Sequence, residues 1–232
     1  MTLPTDDFLP DRRPSNIIYL SIYEGMLCQR RATETPGFAR YESKSPKTKG
    51  KVSWVREFDH INGFLTGFER KEKTTLAGDK FFVAQITFNH PETTQRAILE
   101  VPIKSEFVAR FAMCVENMNL KKPVWMRSFL DKTGHTSIMF KQEDAKVEQK
   151  YTKEHPNGLP KWEKDPISDE WDTREYWKFL FQIIADKALP VIANVRAALD
   201  GIRDDDQGTP PSEAAFVAEV EIETTTDDDI PF

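Results

Sequence analysis

Over residues 16–142 the chain runs through one strand-like segment after another, and a single stretch switches to helical spacing. That stretch is residues 105–118, where Phe107, Val108, Phe111, Ala112, Val115 and Met118 recur at helical intervals behind Ser105, a suitable N-cap. A β-rich body with one internal helix leaves few topologies open. The segments before the helix cover residues 16–31, 51–58, 61–71, 80–89 and 95–102, the last two forming a hairpin around His90-Pro91-Glu92. Two more follow at 124–132 and 136–142, separated by a turn at Gly134.

Gly63 and Gly67 interrupt the third segment, and glycines inside strands mark the bulges and tight bends that a small closing barrel requires. Strands, one helix, then two strands is the order of an OB-fold, a five-stranded partly open barrel with its helix between strands 3 and 4. The expectation is therefore a mainly β domain with added helices. Residues 32–50 hold Pro36, Gly37, Pro46 and Gly50 among Ser, Thr and Lys, and read as a long exposed excursion.

The flanks differ from this body. Residues 1–15, with Pro4, Pro10 and Pro14, read as a flexible arm. Residues 151–171 read as loop, and a C-terminal helix follows, capped by Asp172 or Thr173. Its apolar stripe runs from Tyr176 through Leu180, Ile183, Ile184, Ala188, Val191 and Val195 to Leu199, with a kink or a split expected at Pro190. The folded domain is thus expected over 16–203. Residues 204–232 contain ten carboxylates and no Lys or Arg, so a disordered acidic tail is expected there. The net charge of −6 divides into a body of +4 and a tail of −10. Such asymmetry suggests a nucleic-acid binder or an interaction tail.

Several classes are disfavoured. No apolar run approaches the ~20 residues of a membrane-spanning helix, and the acidic start lacks the order of a signal peptide. Cys28 and Cys114 cannot form a disulfide framework, and reduced thiols in a cytoplasmic protein are expected. The phosphate-binding glycine motifs, the nucleophile elbow and the H-E-x-x-H zinc motif are all missing. His60, His90, His135 and His155 lie at no metal-ligand spacing. Neither catalysis nor a cofactor is expected.

Residues 28–56 carry the first positive signal. Arg30, Arg31, Arg40, Lys44, Lys47, Lys49, Lys51 and Arg56 face only Glu34 and Glu42, and Phe38, Tyr41 and Trp54 are interleaved among them. Cations that track phosphates and aromatic faces that stack on unpaired bases are what single-stranded nucleic acid binding needs. A second signal lies in residues 124–130, where strand alternation puts Trp125, Arg127 and Phe129 on one face and Val124, Met126 and Leu130 on the other. The third is the terminal sequence Asp227-Asp228-Asp229-Ile230-Pro231-Phe232. An apolar plug with a free α-carboxylate behind three aspartates suits a pocket with a basic rim.

This tip resembles that of bacterial single-stranded-DNA-binding proteins, which ends in D-D-x-I-P-F, and the body resembles the OB-fold ssDNA-binding proteins of tailed bacteriophages. The bacterial proteins have a shorter OB domain and a Gly/Gln/Pro-rich linker, in place of which this chain carries residues 151–203. The resemblance implies a protein that binds single-stranded DNA, and duplex DNA weakly, during replication, recombination and repair. It also implies recruitment of partner proteins through Phe232 and its neighbours. The alternative is an accessory subunit of a nuclease, primase or recombinase complex whose tail imitates the host protein.

Overall fold

In the computed structural model, which describes residues 16–44, 49–74, 78–152, 154–164 and 171–204, the first expected strand folds back on itself. β1 (Ile17–Tyr23) and β2 (Met26–Arg31) pair antiparallel across Glu24 and Gly25. Both turn residues have positive φ, 49° and 79°, the backbone that a two-residue hairpin turn requires. The excursion expected over 32–50 contains a further strand, β3 (Ala39–Glu42), paired with β4 (Val52–Phe58), which itself pairs with β2.

β5 (Ile61–Thr74), β6 (Lys80–Asn89) and β7 (Arg96–Pro102) form an antiparallel meander. Both glycines of β5 act as expected: the register shifts between Leu65 and Gly67, and a Cβ on Gly63 would lie 2.7 Å from the Asn89 carbonyl oxygen. Helix α1 (Glu106–Cys114) and a 3₁₀ turn at Val115–Asn117 lead to β8 (Val124–Leu130), which returns to lie beside β5. β9 (Thr136–Gln142) and β10 (Ala145–Lys146) continue outward from β8.

Among the described residues the resulting sheet has ten strands in the order β10-β9-β8-β5-β6-β7-β1-β2-β4-β3, antiparallel except for β1 against β7. The mainly β expectation holds, whereas the ladder does not close into a five-stranded barrel. The free edge of β7 is taken by β1, and the hairpin it belongs to carries β4 and β3 outward as a three-stranded wing. The other end of the sheet still approaches this hairpin. A Cβ on Gly25 would come within 2.8 Å of the Leu130 backbone nitrogen, so the β1–β2 turn is seated against the end of β8.

The core lies where α1 crosses the sheet. Phe111 stacks on Phe68 (5.6 Å) and meets the edge of Phe140 (6.1 Å), and Phe107 meets the same ring at 5.6 Å. Ser105 precedes α1 with extended backbone, yet its hydroxyl makes no capping bond. The loop expected at 151–171 includes a short ribbon of β11 (Glu163–Lys164) and β12 (Trp171–Asp172). α2 (Arg174–Ile183) starts where the Asp172 carboxylate accepts the Arg174 amide at 3.0 Å. The kink expected at Pro190 is absorbed by a π turn at Ile184–Ala188, after which α3 (Leu189–Asp204) continues along β5. Pro190 offers no N–H to the Asp186 carbonyl, so a wider turn before it loses no bond that a regular helix would keep. Residues 1–15 and 205–232 lie outside the described residues.

Three tyrosines couple the fold to alkaline pH. Tyr41, Tyr151 and Tyr176 are each pushed up to about 12, first by burial. Hydrogen bonds to Glu24 and Glu116 add to the shift for Tyr41 and Tyr151. A folded pKa above the unfolded value near 10 means that their contribution is complete below pH 10. It is lost as the pH rises from 10 to 12. The melting temperature should fall over that interval, and Tyr176→Phe should make the fall shallower.

Candidate nucleic-acid interface

The wing decides which basic and aromatic residues of the 28–56 segment work together. In an antiparallel ladder directly opposed residues project to the same side. Trp54 of β4 is opposite Arg31 of β2 on one side and Arg40 of β3 on the other. One cross-strand row therefore reads Arg31, Trp54, Arg40. Arg56, two residues along β4, shares this face, opposite Gln29, and its guanidinium lies 5.6 Å from the Phe58 ring. Leu27 and Phe58 are also on this face, so the row continues the core-facing side of the sheet beyond the edge of the core.

Trp54 is half-buried and both arginines are exposed. Among the described residues no ring stacks on Trp54 and no cation sits over it. Arg40 contacts Glu42 at 3.6 Å, but both side chains are more than half exposed. Such a pair is worth little and yields readily to a phosphate.

The neighbouring candidates point elsewhere. Arg30 and Tyr41 are on the reverse face, opposite Val55 and Ser53. Arg30 lies 4.4 Å over the Tyr23 ring, and Tyr41 meets the same ring edge-on at 5.8 Å. The Tyr41 hydroxyl donates to Glu24 at 2.6 Å. Phe38 is half-buried just before β3, its amide bonded to the Thr35 carbonyl. Lys44, Lys49 and Lys51 are exposed around the turn that joins β3 to β4, where the Ser43 amide donates to the Lys51 carbonyl at 3.0 Å. Lys47 lies outside the described residues, as do Asp227, Asp228, Asp229, Ile230, Pro231 and Phe232.

The second candidate patch is on the outer side of the sheet, facing away from the core that Met126 enters. Arg127 and Phe129 are exposed, and the C-terminal helix does not cover them. The core side of β8 is Val124, Met126 and Ser128, while Leu130, expected there, is 52 % exposed beyond the core. Register extends the patch into a row across four strands: Asn62, Trp125, Lys141, Lys146. Lys141 sits 4.8 Å over the Trp125 ring, and His60 stacks on that ring at 5.3 Å. Arg127 meets Asp59 at 3.2 Å, and the other oxygen of Asp59 contacts His60 at 3.0 Å. The hydrogen bond from His60, with Arg127 beside it, holds the Asp59 carboxyl below its usual range.

Sequence reading named Trp125 and missed Lys141 and Lys146. Counting back across the turn at 131–135 pairs Lys141 with Trp125 once β8 and β9 are taken as a hairpin. Among the described residues no group of three or more His, Cys, Asp or Glu could hold a metal ion, and no helix is long and apolar enough to cross a membrane. Comparison of the chain with protein-family models, with curated proteins and with solved structures finds no match.

Proposed function

We propose that this chain is a non-enzymatic, single-stranded-DNA-binding protein of replication, recombination and repair, which recruits partner proteins through its acidic C-terminal tip. The observation that carries the reading is the row Arg31, Trp54, Arg40. An indole with no stacking partner among the described residues, flanked on both neighbouring strands by guanidinium groups, offers one face to a base and two cations to its phosphates. An arrangement of this kind takes unpaired bases and offers nothing specific to a duplex, whose base faces are already stacked.

An OB-type ancestry for the body is part of the proposal. β5, β6 and β7 are consecutive, and β8 returns through α1 to lie beside β5, giving the spatial order β8-β5-β6-β7. This is a Greek key, and with β9 it reproduces the strand-strand-strand-helix-strand-strand sequence of an OB-fold. The β1–β2 hairpin and its wing are then additions at the β7 edge.

Titration with oligo(dT), followed by quenching of tryptophan fluorescence, tests the function directly; an unquenched protein at low ionic strength would overturn it. The arginines make a second, quantitative expectation. Each phosphate contact on a single strand contributes about 0.7 to the slope of log K against log salt. Arg31→Ala and Arg40→Ala should therefore each flatten that slope by about 0.7 and weaken binding to all sequences alike.

A further inference from the structure

The strand that carries Arg40 lies at one edge of the sheet, is four residues long, and among the described residues is paired only with β4. Short edge strands fray, because one side of the ladder has no neighbour. Here three groups from β3 and the residues after it converge on a single carboxylate of another hairpin. The Tyr41 hydroxyl donates to Glu24 Oε2 at 2.6 Å, the Ser43 hydroxyl to Oε1 at 2.5 Å, and the Lys44 amide to Oε2 at 3.2 Å.

Glu24 is itself held in place. It occupies a left-handed turn position (φ 49°), and its neighbour Gly25 is wedged against Leu130 so closely that no Cβ would fit. The carboxylate therefore transmits the position of the body to the far edge of the wing. Lys44 lies immediately beyond it, and the Ser43 amide donates to the Lys51 carbonyl at 3.0 Å.

We infer that Glu24 is a positioning residue for DNA binding: it fixes the cant of β3 and of Ser43 and Lys44 against the body, and does so without touching the nucleic acid. This inference rests on the function proposed above. It makes an unusual prediction of sign. A carboxylate near a cationic surface opposes a polyanion, so electrostatics alone would have Glu24→Gln bind single-stranded DNA more tightly. Loss of positioning has the opposite effect, because the wing's cations must then be ordered at the expense of binding.

The test compares wild type and Glu24→Gln, full length, against oligo(dT) at fixed ionic strength. Affinity should fall by about 3- to 10-fold. Absorbance at 295 nm supplies the signature that the pin itself has been broken: Tyr41, held near 12 in the intact protein by burial and by its bond to Glu24, should ionise at lower pH in the variant. If Glu24→Gln does not fold, Tyr41→Phe and Ser43→Ala each remove one donor and keep the carboxylate. Each should weaken binding, and the pair should approach the loss expected for the Gln variant. A wild type that quenches with oligo(dT) and a folded variant that binds equally or more tightly would overturn the positioning role and leave the function standing. A wild type that does not bind would overturn both.

Discussion

Replacing Trp54 by alanine should weaken binding to oligo(dT) by about 1–3 kcal/mol, the range that stacking residues lose on truncation. The loss should exceed that from replacing any one of Lys44, Lys49 or Lys51. In the proposed interface such a lysine would contribute one screened phosphate contact, whereas Trp54 would contribute the face on which a base sits. Trp54→Phe keeps a ring in the row and should recover much of the affinity. The fold should survive these changes, since Trp54 is only half-buried and lies outside the connected core. Isothermal titration of the three proteins with one oligonucleotide decides the matter. Equal affinities for wild type and the alanine variant would remove Trp54 from the interface.

Deleting Phe232 should abolish binding to replication and repair proteins that accept the tip of bacterial single-stranded-DNA-binding proteins. Truncating a buried aromatic anchor typically loses 2 kcal/mol or more, roughly 30-fold in affinity. Each aspartate of Asp227-Asp228-Asp229 would meet the basic rim as a screened charge, and neutralising one should lose about 1 kcal/mol or less. Adding a residue after Phe232 should be nearly as damaging as the deletion, because it displaces the α-carboxylate. DNA binding should be retained in both variants. Fluorescence anisotropy with one purified tip-binding protein, alongside the oligo(dT) titration, measures the two activities separately.

The elements that were legible in the sequence are those whose signal is local. α1 and the meander follow from the spacing of apolar residues within a dozen positions, and Gly63 and Gly67 mark the bulge and close approach that the sheet shows. The β1–β2 hairpin was not legible, because Glu24-Gly25 interrupts a run of strand-forming residues with no proline or asparagine to announce a turn. The open sheet was not legible either. Its decisive pairing joins β1 to β7, and nothing local to either strand reports it.

The candidate site shows the same division. Composition locates the basic and aromatic segment, but pairing selects its members. Arg30 and Arg31 are adjacent in a strand and must face opposite sides, so only one of them can share a surface with Trp54. The ladder assigns that place to Arg31 and turns Arg30 towards Tyr23. Tyr41 is likewise diverted, its hydroxyl committed to Glu24 rather than left to a base.

The parallel pairing of β1 with β7 also dictates an order of assembly. Ile17 lies beside Arg96, about 80 residues away in sequence, and contacts so distant form slowly because the intervening chain must first be confined. The meander needs only short loops and can form early. The β1–β2 hairpin leaves the ribosome before the meander, yet it has no edge to join until β7 has been made. The wing that displays Trp54 hangs from that hairpin, so the proposed DNA-binding surface should be among the last parts of the molecule to mature. A chain released after Trp54 but before Pro102 would contain every residue of the Arg31, Trp54, Arg40 row but not the complete edge against which the hairpin docks.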